Sequence, residues 1–103
     1  MDLSITTTAN DAARLVSVTG EVDVSNASKL REAVDEALGQ APSSVEVDLA
    51  ETSYIDSTGI GVLVGAATRA ADEGIDFTVA NPQHNVRRVL GLLGVEKQLN
   101  VRD

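Results

Sequence analysis

TSYIDSTGIGVLVGAATRAA, residues 52–71, joins three short polar residues, Asp56, Ser57 and Thr58, to an apolar run spaced by glycine and alanine. Such residues cap helices. The run therefore predicts a helix from Ser57 or Thr58 to Asp72, with Gly74 as its left-handed stop. Just upstream, SSVEVDLA at 43–50 alternates strictly. Val45, Val47 and Leu49 point inward and Glu46 and Asp48 outward, which is a strand with one covered face. Downstream, IDFTVAN at 75–81 alternates again through Ile75, Phe77 and Val79. Strand, helix and strand in that order form a right-handed crossover between parallel strands.

The same grammar extends to both ends. LSITTT (3–8) and ARLVSVTG (13–20) read as strands joined by polar ANDA, hence an antiparallel hairpin, with Gly20 ending the second strand. EVDVSNA is a polar connection. Ala27, Leu30, Ala33, Val34, Ala37 and Leu38 then fall on one helical face. Ser25 or Asn26 is placed to cap that helix and Gly39 to stop it. Asn81-Pro82 predicts a cap followed by a first-turn proline. Val86, Val89, Leu90 and Leu93 form the stripe of the last helix, which Gly94 ends. KQLNVRD is a tail able to add an edge strand. The expected fold is α/β. Its mixed sheet has an antiparallel first pair and parallel later strands, with helices mainly on one face. Residues 1–103 form a single domain, with no linker or repeat.

Composition narrows the function. The chain has 103 residues with 16 acidic and 8 basic side chains, a formal net charge of −8. A nucleic acid needs a basic surface, and so does an anionic membrane, so neither is expected as a partner. There is no cysteine, which excludes thiolate catalysis, thiolate metal sites and disulfides. The N-terminus lacks the basic and apolar regions of a secretory signal. GIGVLVGAA is too short to span a bilayer. The expectation is a soluble cytoplasmic protein.

No enzymatic constellation emerges. A serine nucleophile needs a base within reach. The one histidine, His84, lies on a different helix, and DSTGIG is not the G-x-S-x-G elbow. Gly59, Gly61 and Gly65 match neither phosphate-binding spacing. With Ala66, Ala67 and Ala70 they are read as small residues that let the helix lie close to the sheet. Asp23, Asp48, Asp56 and Asp72 are scattered and offer no metal-ligand spacing. No catalytic residue, cofactor or metal is expected, and the chain is read as a non-enzyme. Two readings of Asp56-Ser57-Thr58 stay open on local chemistry. The three residues form a simple helix cap, or Ser57 is a modifiable hydroxyl on a rim where strand ends meet helix starts. A phosphoryl group there would add about −1.5 to −2 charge beside Asp56.

Three segments together tip the balance: VSVTGEVDVSNASKLREAVDEAL, VEVDLAETSYIDSTGIGVLVGA and GIDFTVANPQHNVRRVLGLLGV. They cover nearly the whole chain and resemble the anti-sigma factor antagonist family, single-domain proteins of the STAS fold. D-S-T-G-I-G-V-L at a strand–helix junction, with G-E-V-D at the end of the second strand, carries the likeness. The resemblance implies that Ser57 is phosphorylated by the partner itself, an anti-sigma factor serine kinase with a histidine-kinase-like ATPase fold. The unmodified protein would bind that kinase and release a sigma factor, and phosphorylation would end binding. A PP2C-type phosphatase would reset the cycle.

The resemblance also implies roles. Asp23 would help recognise the kinase, and Asp56 would position the Ser57 hydroxyl and repel once it is modified. Thr58 would cap the helix and touch the partner, with its hydroxyl second to Ser57 as a modification site. Gly59 and Gly61 would admit the partner backbone and pack the helix. Ile60 and Val62 would offer apolar contacts, one of them from the core. Family members often continue into a last helix. A chain stopping at Asp103 would expose an apolar patch, so the expected state is a monomer or weak dimer. The competing reading is a STAS accessory subunit of a membrane lipid transporter. There the same rim would dock on an ATPase subunit and phosphorylation of Ser57 would be irrelevant.

Overall fold

A computed structural model describes residues 3–103. The strands are β1 (Ser4–Asn10), β2 (Ala13–Val22), β3 (Ser44–Ile55) and β4 (Asp76–Ala80). The helices are α1 (Ala27–Gly39), α2 (Ser57–Asp72) and α3 (His84–Leu92). The sheet order is β1-β2-β3-β4, with β1 antiparallel to β2 and the remaining pairs parallel. This is the mixed sheet that the alternation predicts. Alternate residues of β2, β3 and β4 (Val16, Val18 and Val22; Val45, Val47 and Leu49; Phe77 and Val79) are buried. With Leu30, Leu38, Leu63 and Leu90 of the helices they form one core. Their neighbours Ser17, Glu46, Asp48 and Thr78 stay partly exposed on the polar face.

The strands run further than the sequence pattern suggests, because β2 and β3 do not stay in step. Ser17 pairs with Asp48 but Thr19 with Glu51; Gly20 pairs with Thr52 but Glu21 with Tyr54. Each slip adds a residue to β3, which is a bulge and resets which face the next side chain meets. Burial along β3 accordingly falls at Val45, Val47 and Leu49, then at Thr52 and Ile55. Gly20, expected to end β2, lies inside the strand at φ 111° between the two slips. Thr52 is the one fully buried polar residue among those described, and its hydroxyl donates to the Val18 carbonyl at 2.8 Å. The bulged strand thus carries chain to Ile55 and delivers Asp56 to the sheet's end.

Three other boundaries differ. Gly39 is the last residue of α1 rather than its stop, and Ala41 takes the left-handed position at φ 53°. Asn81 does not cap α3. It sits at φ 57° with its N–H bonded to the Arg102 carbonyl at 2.7 Å, and α3 begins at His84 with Gln83 before it. The tail contributes a single parallel bridge from Arg102 to Ala80. Of the expected stripe Val86 and Leu90 are buried and Val89 is half-buried, while Leu93, just past the end of α3, is exposed, as is its neighbour Leu92. Gly74 and Gly94 end their helices at φ 72° and 69°, as expected.

Candidate partner-binding site

The expected rim exists at the C-terminal ends of β2 and β3. Val22 pairs with Ile55, and one rung further the Asp56 N–H donates to the Val22 carbonyl at 3.1 Å. Asp23 and Asp56 therefore leave adjacent parallel strands side by side. Each introduces a helix, so two helix N-termini meet at one edge of the sheet.

Asp56 has extended backbone (φ −96°, ψ −178°) and is the N-cap of α2. Its Oδ1 accepts from the Thr58 N–H at 3.0 Å and the Gly59 N–H at 3.1 Å. Two of the four N–H groups that a helix start leaves without partners are thereby satisfied. The expected division of labour changes: Asp56, not Thr58, caps the helix, and the hydrogen bonds of Asp56 run to backbone rather than to the Ser57 hydroxyl. Ser57 is the first helical residue and is exposed, as are Thr58 and Gly61.

Asp23 is held by a tight turn. Its Oδ1 accepts from the Ser25 N–H at 2.9 Å and the Ser25 hydroxyl at 2.5 Å. Asn26 locks the turn from the other side: its Oδ1 accepts from the Asp23 N–H at 2.9 Å and its Nδ2 donates to the Glu21 carbonyl at 2.9 Å. The Ser25 hydroxyl, then the Ser25 N–H, hold the Asp23 carboxyl below its ordinary range, because bonds donated to a carboxylate favour its charged form. Asp23 is thus a fixed, ionised group.

Three expected contact residues lie inside. Ile60 is 3% exposed. Gly59 is buried, and a methyl group there would stand 2.7 Å from Val22 Cγ1 and 2.8 Å from Ile55 Cγ1. Gly59 lets α2 approach β2 and β3, and neither it nor Ile60 offers a partner a free side chain. Val62 is also buried. Gly61 and Gly65 do the reverse of the predicted packing: both are exposed, with open space where a side chain would stand. Ala66, Ala67 and Ala70 are the ones buried. The rim also carries two apolar groups that the sequence reading passed over, Val24 at 77% and Tyr54 at 49% exposure. The signal for Val24 was an apolar residue between Asp23 and Ser25 in an otherwise polar connection. Among the described residues no cluster of His, Cys, Asp or Glu could hold a metal ion, and no helix is long and apolar enough to cross a membrane.

The profile of the family described as Mlab, STAS domain matches residues 5–102. The chain belongs to the STAS family. Over all 103 residues this STAS protein is 28% identical to an anti-sigma-B factor antagonist of Staphylococcus epidermidis, of which it spans 95%. An anti-sigma factor antagonist from Mycobacterium paratuberculosis superposes with a TM-score of 0.89 at 24% identity, covering 98% of this chain and 86% of that one. SpoIIAA, an anti-sigma factor antagonist, shares the fold in its unphosphorylated form, with a TM-score of 0.79 at 19% identity over 97% of this chain and 87% of that one. Its phosphorylated form superposes at 0.73 and 17% identity, covering 97% and 90%.

Proposed function

We propose that this STAS protein is an anti-sigma factor antagonist switched at Ser57. The observation that carries the reading is the exposed Ser57 at the start of α2, next to the anchored carboxylate of Asp56, on a rim that also holds the anchored Asp23. The relatives' names support the partner class, and SpoIIAA is a protein of this fold solved with and without phosphate. The unmodified rim binds an anti-sigma factor serine kinase of the histidine-kinase-like ATPase fold. The Ser57 Oγ attacks the γ-phosphorus of ATP, the bond to the β-phosphate oxygen breaks, and ADP leaves as the hydroxyl proton passes to a base on the kinase or to water. A PP2C-type phosphatase hydrolyses the ester with water and restores the hydroxyl. The protein itself acts by binding.

The cap makes the switch steep. Asp56 already occupies the Thr58 and Gly59 N–H groups. A phosphoryl group on Ser57 therefore gains neither donor and stands beside a carboxylate. Moving a partner from about 99% bound to about 1% takes roughly 5.5 kcal/mol. Leaving one charge unpaired in an interface costs about 2–5 kcal/mol, and competition by the sigma factor supplies the rest.

A paired pull-down with Ser57→Ala and Ser57→Asp baits in lysate of the native cell, with ADP or ATP added, tests this. A kinase-like ATPase retained by Ser57→Ala and lost by Ser57→Asp is the expected result. Equal capture of that ATPase by both, or of the same transporter subunits by both, overturns it.

A further inference from the structure

Among the described residues one edge of the sheet is left uncovered. β1 is its outer strand, and its seven residues, Ser4–Asn10, hold an unbroken register with β2. Edges of this kind are normally blunted by charge, proline, a bulge or a covering segment. SITTTAN contains no charged residue and no proline, and the register shifts of the sheet lie between β2 and β3 instead. Only Ile5 of the strand is even half-buried. In a chain of net charge −8 this strand itself carries no charge to repel a second copy.

A groove runs beside the edge. Leu3, Ile5 and Thr7 form one wall and Lys29, Ala33 and Glu36 of α1 the other. The groove continues past Ala9 to Gln40, where Arg14 closes it by donating to Gln40 at 2.6 Å. Thr7 faces Ala33 and Glu36 in both parts, so the middle of the strand stands level with the middle of the helix.

We infer that this edge is a homodimer interface, in which β1 pairs antiparallel with β1 of a second copy about a two-fold axis near Thr7. The register then sets Thr6 against Thr8 of the second copy and Ile5 against Ala9. Thr–Thr pairs and β-branched neighbours are favourable cross-strand partners. The same axis runs the two α1 helices antiparallel past each other at Ala33. Lys29 of each copy then approaches Glu36 of the other, twice by symmetry, while the two Glu32 side chains, beside the axis at Ala33, face each other and weaken the contact. A two-fold contact of this kind closes and leaves no free edge to propagate. One strand pair flanked by two helix sides buries about 1,200 Å² or less, at the small end for a stable complex. The dimer should be weak and concentration-dependent.

Sedimentation velocity across roughly a hundredfold range of protein concentration reads it directly. The expected result is a shift from monomer to dimer that Thr6→Lys/Thr8→Lys abolishes, since lysines then face each other across the axis. Both threonines are exposed, and a thermal melt checks that the variant folds. Glu36→Lys should weaken the dimer at least tenfold by setting two lysines together, and adding Lys29→Glu should restore it. That pair leaves β1 untouched and tests the interface even where the strand variant misfolds. A protein that stays monomeric throughout, or a dimer indifferent to the strand variant and to the charge swap, overturns the inference.

Discussion

A methyl group at Gly59 would overlap Val22 and Ile55, whereas at Gly61 it would meet open space. The neighbours of Gly59 are β-branched core side chains with little freedom to retreat. Gly59→Ala should therefore destabilise by about 1–3 kcal/mol through overpacking, read as a lower denaturation midpoint. Gly61 pays only the entropy of a flexible residue within a helix, so Gly61→Ala should stabilise by about 0.5–1 kcal/mol. Under the proposed function the same change puts a side chain where the partner's backbone approaches. Stability and partner affinity should thus move in opposite directions. At Asp23 the observable is titration. Its folded carboxyl lies below its ordinary value, so the turn's contribution is present above the unfolded carboxylate range and is lost as pH falls through the folded value. In an NMR titration the Asp23 carboxyl should have a lower midpoint than an unbonded aspartate, and Ser25→Ala should raise it. An unchanged midpoint would show that the Ser25 hydroxyl does not hold the charge.

For an element, the telling case is α2, whose start depends on one side chain. Asp56→Ala should cost about 1 kcal/mol, within a range of about 0.5–2, because two N–H groups lose their acceptor. Asp56→Asn should keep most of that, since asparagine caps equally well, while removing the charge that faces Ser57. Comparing the two melts separates the cap from the charge. This helix also shows how far a sequence can be read. Its existence, its ends and its place after a strand follow from capping residues and Gly74. Which side faces the sheet does not, because Gly61, Gly65, Ala66, Ala67 and Ala70 are all small and carry no polar contrast. The alternation of β3 was legible through Leu49. Beyond it the bulges moved burial to Thr52 and Ile55, and a period of three in TSYI does not look like a strand. Ala41 and Asn81 hold left-handed turns with residues other than glycine, so the glycine-based stop at Gly39 fell two residues early. At the rim, the positions of Asp23, Asp56 and Ser57 were legible from motif and topology. That Asp56 rather than Thr58 caps, and that Gly59 and Ile60 turn inward, depended on the backbone angle at Asp56 and on packing against Val22.

Over the whole molecule two electrostatic effects compete, and salt decides between them. The formal charge of −8 is spread over a body 31 × 27 × 21 Å. At 0.01 M salt the screening length is about 30 Å, so charges on opposite sides still repel; at 1 M it is about 3 Å and they do not. Against this stand ion pairs that salt weakens: Arg69 with Asp35 and Glu73, Arg87 with Glu96 and Asp103, and Arg102 with Glu46. All involve solvent-exposed side chains, and pairs of that kind contribute about 0–1 kcal/mol each, often nothing measurable. The net repulsion should win, and sodium chloride should raise the melting temperature at neutral pH. A gain of about 1 kcal/mol would appear as roughly 4–8 °C in a domain of this size. Calorimetry from low salt to about 0.5 M, where exclusion effects are still small, checks the sign. A melting temperature that falls with salt would mean that the arginine pairs, Arg87 and Arg102 at the tail above all, tie the C-terminus to β3 and α3 more strongly than exposed pairs ordinarily do.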